Sequence, residues 1–501
     1  MKSITKILLT LFALVAGACT DFLNERLQGT YSNATFYKTE AHAVLAITGV
    51  YNALSFVSTE NNLWVFGDVA SDDATKGGLA GDQSDIQFID EFNYARNNAS
   101  LEKIWKRYYE GVSRANYLLY YGPAIQMDLK LKNRILAEAK FLRAYLYFNL
   151  VNIFGEVPVK LNPPINTDEI NKSKSAVPTV YAQIEKDLRE AIPDLAKTYT
   201  GADVGRASKG SAWGLLAKTY LYQKKYPDAL VAIDSVDALG LYQLQKVYKN
   251  NFIDSTQNNA ESLFEIQHLS GQLPKLGSYL NQYFSPAKDN GYYFNAPLQN
   301  FVDEFEKTST NVPDPRLDYT VGRTGQKWIN GEDFNPPSTT NPPWSPTGFL
   351  TKKHSQPKRQ EPIIGDASLN YVYMRYADIL LMKAEALNEL NRGAEAIGPL
   401  NAVRKRARES YLYDKGQSGF GTIPAGLLPD VANSGAQAVS DAIRHERRVE
   451  LGFEFHRFFD LMRYGKPVAE AALSSTGFKY DLHRYFLIPQ SELDANPAIN
   501  N

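Results

Sequence analysis

One cysteine among 501 residues leaves the chain no internal disulfide framework and no zinc site built from several thiolates. Charge of either sign is also not in excess, because 54 Lys and Arg face 55 Asp and Glu for a net charge of −1. A protein that grips nucleic acid through its phosphates carries a basic footprint, so nucleic acid is not an expected partner. No apolar run approaches the roughly 20 residues that cross a bilayer as a helix. The six histidines are unpaired at metal-ligating spacing: His445 and Glu446 are read as opening a helix, but Val449 stands where a zinc-protease motif needs its second His. Gly-x-Ser-x-Gly is missing too. What the chain does have is 44% hydrophobic residues, enough for a large core.

The lone cysteine is informative by position. Lys2 and Lys6 precede an apolar stretch, residues 7–16, and the small residues Ala16, Gly17 and Ala18 lead directly to Cys19. That is the pattern of a bacterial export signal over residues 1–18, too short in its apolar part to span a membrane. The three small residues suit ordinary signal peptidase equally well. Cys19 at the new amino terminus resembles a lipoprotein box, with Ala16 where Leu is more usual, so lipidation is expected there. Acyl chains contributing about 0.8 kcal/mol per buried CH2 would anchor the protein without a spanning helix. Loss of Lys2 and Lys6 moves the net charge to −3.

A repeat is visible in the middle of the chain. Trp213, Leu216, Ala217, Tyr220, Ala229 and Ile233 follow the tetratricopeptide spacing, with Pro227 placed to start the second helix of a hairpin. Ala384, Leu387, Ala396 and Leu400 repeat the separations of Ala217, Tyr220, Ala229 and Ile233, with Gly393 expected to supply the turn. Residues 137–154 form a helix apolar on two faces, hence sandwiched between neighbours, and Gly155 and Pro158 end it. Further helical patterns cover 40–54, 101–121, 178–192 and 440–464. The expected fold is all-α dominated, a solenoid of tetratricopeptide-like hairpins near 40–58, 101–196, 211–238, 373–408 and 440–464. Two long insertions, 58–98 and 268–370, lack helical period and are rich in Gly, Pro, Asn and aromatics. A third break, 411–439, is Gly-rich.

Four segments then show a likeness: AEAKFLRAYLYFNLVNIFGEVPV from 137, YMRYADILLMKAEALNEL from 373 with LNAVRKRA from 400, IRHERRVELGFEFHRFFDLMRYG from 443, and FLIPQSELDANPAINN from 486. Together with Trp105, Tyr109, Arg114, Ala115 and Asn116, and with Asp21, Phe22 and Leu23 after Cys19, these resemble the SusD/RagB family of outer-membrane lipoproteins. The resemblance spans nearly all of 19–501, read as one SusD-like domain. It implies a surface-exposed, lipid-anchored, non-catalytic lid subunit without a cofactor, which captures a glycan, or a peptide in the RagB branch, for a SusC-like TonB-dependent transporter.

The scaffold motifs do not name the ligand residues, so those are sought in the insertions. A pyranose presents C–H groups that stack on aromatic rings and hydroxyls that need Asn, Asp or Arg. Trp64, Tyr94, Tyr292, Tyr293, Trp328 and Trp344 are the candidate platforms, with Asp72, Asp73 and Asn93 to bond hydroxyls and the two insertions meeting on one face. The competing reading of each aromatic is a loop anchor packed on the core. Trp105 and Trp213 are assigned to the core. Asp68, Asp72 and Asp73 read as a solvated acidic loop without EF-hand spacing, and no metal is assigned. Charges along 444–457 read as a solvated or inter-helix network, and Lys352, Lys353, His354, Lys358 and Arg359 as a surface run. A polysaccharide hydrolase or a protein-binding repeat scaffold are the rival functions.

Overall fold

The computed structural model describes residues 36–500, apart from 330, 335–344, 346 and 358–364. The signal segment 1–18, Cys19, Trp344, Lys358 and Arg359 lie outside the described residues.

The long helices are α1 (Glu40–Asn52), α2 (Ala99–Tyr121), α3 (Leu129–Phe154), α4 (Val177–Ala191), α5 (Lys209–Tyr222), α6 (Tyr226–Asp237), α7 (Tyr376–Glu389), α8 (Gly393–Tyr413), α9 (Ala436–Leu451) and α10 (Arg457–Tyr464). Each helix from α1 to α8 packs on the next one in sequence, and α8 packs on α9. This is a right succession for a hairpin solenoid, since a hairpin cannot cover its own apolar faces and must stack on a neighbour. The sandwiched helix starts eight residues earlier than its sequence pattern indicates. Asp128 caps it by accepting from the Leu131 N–H at 2.8 Å, and Gly155 ends it at φ 72°.

The repeat is reproduced in backbone detail. In the α5–α6 turn, Lys224 takes a positive φ of 59° and the Lys225 N–H bonds the Tyr220 carbonyl at 3.0 Å. In the α7–α8 turn, Asn391 takes φ 60° and the Arg392 N–H bonds the Leu387 carbonyl at 2.9 Å. The left-handed residue is therefore Asn391, a type that tolerates this conformation. Gly393, the expected turn residue, instead opens α8. Ala217 and Ala384 are fully buried where the paired helices approach. Ala217→Leu and Ala384→Leu are each expected to destabilise by about 1–3 kcal/mol through overpacking, measured by urea unfolding; unchanged midpoints for both would mean the close approach lies elsewhere.

Insertion 268–370 leaves the solenoid through a stem. Strand β2 (Ser262–Ile266) pairs antiparallel with Tyr371–Arg375, the last strand of the chain, so α6 and α7 pack together although the insertion separates them in sequence. A lattice of buried charge holds the insertion down. Arg375 at the stem bonds Glu261 and Glu454 at 2.8 Å each, and also Glu450. Arg316 of the insertion bonds Asp314 at 2.6 Å, Glu446 at 2.5 Å and Glu450 at 2.9 Å. Burial pushes the Glu450 carboxyl up, but Arg406, Arg375 and Arg316 outweigh it and hold it well below the usual range.

Four sequence expectations differ from the structure. His445 and Glu446 lie in the second half of α9 rather than at its start, and residues 440–464 form two helices, broken where Phe453 and Phe455 take positive φ of 62° and 65°. The Lys352–His354 run is not surface: Lys353 and His354 are buried, with Lys353 Nζ 2.8 Å from Glu454. The break after α8 begins only at Asp414.

Candidate functional site at the junction of the two insertions

The two insertions join through an antiparallel ribbon. Strand β1 (Ala74–Gly77) pairs with β3 (Phe294–Pro297), with Ala74 opposite Pro297 and Gly77 opposite Phe294. Gly77 and Gly78 take φ of 74° and 67°, and a Cβ there would meet the Tyr293 carbonyl at 2.2 Å and the Phe294 ring at 2.4 Å. Only glycine allows this approach.

Beneath the ribbon the sequence candidates separate into anchors and surface groups. Trp64 is 1% exposed, with Phe294 stacked at 6.1 Å, Phe284 edge-on at 5.4 Å and Tyr283 at 5.7 Å. It is an anchor of the junction, because the one-turn π-helix Val65–Val69 directs it inward and leaves no face for a ligand. Asp72 and Asp73 are buried ion-pair partners, not a solvated loop. Arg457 grips Asp72 through Nε at 2.8 Å and Nη2 at 2.9 Å, and Arg448 Nε reaches Asp73 at 2.7 Å. Burial pushes Asp72 up, but Arg457 and Arg448 hold its carboxyl below the usual range, while burial leaves Asp73 raised. Asp68 is buried as well, accepting from Asn295 Nδ2 and the Phe455 N–H at 3.0 Å each, and burial lifts it to about 8. These acids fasten the first insertion to α9 and α10 and are not offered to hydroxyls.

Tyr293 and Trp328 are 3% exposed and share a small apolar cluster with Phe334 and Leu350. Asn93 is exposed, but its neighbour Tyr94 packs on His483 and Phe486 near the carboxyl terminus, away from the ribbon's rings.

Tyr292 is different. The backbone reverses at Tyr293, which takes a positive φ of 42°, and with the Tyr293 side chain buried Tyr292 faces outward, 40% exposed. Its ring is backed by Phe294 at 6.0 Å and Tyr283 at 6.2 Å. Gln282 fixes its position twice: the Gln282 carbonyl accepts the Tyr292 N–H at 2.9 Å, and Gln282 Nε2 donates to the Tyr292 hydroxyl at 3.1 Å. Gln282 Oε1 is buried without a hydrogen-bond partner among the described residues. Half-buried Tyr279 extends the aromatic row 5.7 Å from Tyr283, and exposed Asn290 adjoins it, its carbonyl accepting from Gln282 Nε2 at 3.2 Å. From the other insertion, Lys76 Nζ bonds the carbonyls of Leu79 at 3.0 Å and Asp82 at 2.7 Å, shaping the loop beside the ribbon. Sequence reasoning found Tyr292 but missed Tyr279, Gln282 and Asn290. The i, i+4 spacing of Tyr279 and Tyr283 beside the Tyr292 pair was the available signal.

A row of fixed rings with one face open, flanked by amides, can stack a flat apolar face and bond the polar groups at its edge. The fold and this surface together define a class, a helical-hairpin protein with an aromatic surface carried by inter-helix insertions. Residues 260–501 match the model of the SusD family, and residues 22–221 match a model described as starch-binding associating with outer membrane. The chain is 30% identical to a solved laminarin binding SusD-like protein, with a TM-score of 0.75 over 92% of this chain and 98% of that one. A solved SusD-like carbohydrate binding protein from Bacteroides fragilis is 25% identical, with a TM-score of 0.79 over 93% and 100% of the two chains. A curated SusD-like protein of Formosa agariphila is 26% identical over 492 residues, 93% of each chain. The chain belongs to the SusD/RagB family.

Proposed function

We propose that the protein binds an oligosaccharide without chemistry at the outer-membrane surface and delivers it, as a lid subunit, to a SusC-like TonB-dependent transporter. The observation that carries the ligand class is Tyr292, an exposed ring held by Gln282 in a row with Tyr283 and Tyr279. A pyranose face fits such a row, and its hydroxyls fit the Gln282 and Asn290 amides. Relatives whose names state laminarin or carbohydrate binding support the same class. Calorimetric titration against laminari-, malto-, cello- and xylo-oligosaccharides and a peptide panel tests it. Binding of at least one glycan with no release of reducing ends is expected; binding of peptides alone would replace the glycan by a peptide.

Anchoring through Cys19 is part of the proposal, and among the described residues no helix is long and apolar enough to cross a membrane. Cys19→Ala is expected to leave a folded protein that appears in the soluble fraction of lysed cells. Retention of that variant in washed membranes would point to a different anchor.

A further inference from the structure

A second large void lies away from the Tyr292 row and shares only Trp328 with the residues described at the junction. It is a cleft of about 1120 Å³ between the second half of the long insertion and the loop that follows α8. That volume lies just above the roughly 300–1,000 Å³ typical of small-molecule sites, large enough for several linked rings. Its apolar wall includes Phe252, Ile253, Val312 and Pro424, with Tyr319 half-exposed among them.

The polar groups of the cleft are held in place. The Tyr319 ring stacks on Tyr248 at 6.0 Å, its hydroxyl donates to Asp414 Oδ2 at 2.5 Å, and Lys249 Nζ donates to Asp414 Oδ1 at 2.8 Å. Lys352 Nζ is fixed by the carbonyls of Asp318 at 2.8 Å and Lys327 at 2.7 Å. Gln356 supplies the unanswered group. Its side chain is 4% exposed, its Oε1 accepts from the Leu369 N–H at 3.1 Å, and its Nε2 is buried with no hydrogen-bond partner among the described residues. Burying an amide N–H unpaired is unfavourable, and a ligand acceptor reaching it from the cleft would remove that penalty.

We infer that this cleft is a second oligosaccharide site, taking a short neutral glycan whose hydroxyls bond Gln356 Nε2, Lys249 and Asp414 while a ring lies against Tyr319. Its cations and carboxylates are balanced, Lys249, Lys327 and Lys352 against Asp254, Asp318 and Asp414, which favours an uncharged ligand over a uronic or sulfated one. The inference rests on the glycan reading of the junction but places the second ligand on different side chains. Gln356 links the two, since its N–H donates to Asn281 Oδ1 in the short helix Leu280–Phe284 that also carries Gln282 and Tyr283. Two sites on one insertion would let a single polymer be held at two points.

The test is hydrogen–deuterium exchange on the full mature protein with saturating laminarihexaose, maltohexaose or cellohexaose, in wild type, Tyr292→Ala, Tyr319→Ala and Thr422→Trp. Thr422 is exposed at the cleft rim, so the indole obstructs the cleft without entering the core. The expected result is that one of these sugars protects residues 311–329 and 411–424, that the protection survives Tyr292→Ala, and that Thr422→Trp and Tyr319→Ala each weaken it at least tenfold in the sugar concentration required. Protection confined to 279–294 and abolished by Tyr292→Ala would overturn the second site while leaving the junction reading intact. No protection by any sugar in any variant would overturn both.

Discussion

Arg375→Leu is expected to destabilise the protein by about 3–5 kcal/mol, the cost of breaking a buried ion pair by removing one partner. Arg375 is fully buried and its guanidinium serves Glu261, Glu450 and Glu454 together, with a further bond to the Glu450 carbonyl at 2.7 Å. The leucine variant leaves three buried carboxylates short of a cation, and Arg316, Arg406 and Lys353 are already engaged with the same acids. Arg375→Lys restores the charge but not the planar fork, so it is expected to recover only part of the loss. The exposed pair Lys466–Asp481 is the control, where removing Lys466 is expected to leave the unfolding midpoint nearly unchanged. Urea unfolding of the three variants measures this. Equal, small losses at the buried and the exposed pair would mean the lattice does not fasten the insertion to the solenoid.

Stability is expected to fall by several kcal/mol as pH drops from about 6.5 to about 2, on the order of what a few linked carboxylates and histidines provide. Burial lowers His268 to about 3, His354 to about 4 and His456 to about 3. Each takes up its proton in the unfolded chain first, so its contribution is complete above the usual 6.5 and is lost as pH falls toward those values. Burial acts against Glu454 and Asp460, yet Arg375 beside the first and Arg447 beside the second hold both at about 2, and their contribution is lost below the ordinary carboxylate range. Asp68, lifted by burial to about 8, and Asp90, lifted to about 6, oppose this, because they bind protons more tightly when folded. Burial also raises Asp73, Glu138, Asp187 and Glu265, while neighbouring cations hold Asp72, Asp378 and Glu450 low, so the groups that cost stability in acid still outnumber those that oppose them. Thermal melting from pH 8 to pH 2 checks it; a melting temperature that rises steadily through the acid range would contradict the burial of the histidines.

The hairpins were legible because their signal is local. The separations from Ala217 to Ile233 and from Ala384 to Leu400 reflect helix contacts within some 20 residues of chain, and the structure repeats them down to the two turn hydrogen bonds. The acids of the first insertion were not legible. Asp72 and Asp73 look solvated beside their Gly-rich neighbours, and only the fold brings Arg448 and Arg457 to them from nearly 400 residues away. The same holds for Lys353 and Glu454. Among the aromatics, composition marks Trp64, Tyr292, Tyr293 and Trp328 alike. Which one faces water depends on the left-handed backbone at Tyr293 and on the π-helical turn after Trp64, neither of which the residue types reveal. Gln282 was invisible for a related reason, since a single amide gains meaning only when the turn brings Tyr292 back to it.

The central claim is that a glycan binds on the Tyr292 row, and Tyr292→Ala tests it most directly. Removing the ring leaves Gln282, Tyr283 and the buried core in place, so the melting temperature should hardly move. Titrating this variant with an oligosaccharide that the wild type binds, while following exchange protection of residues 279–294, should show affinity at the junction weakened by roughly 1–3 kcal/mol, as when an aromatic platform is lost from beneath a nucleobase. Unchanged affinity and protection in a folded Tyr292→Ala protein, or loss only through unfolding, would contradict it.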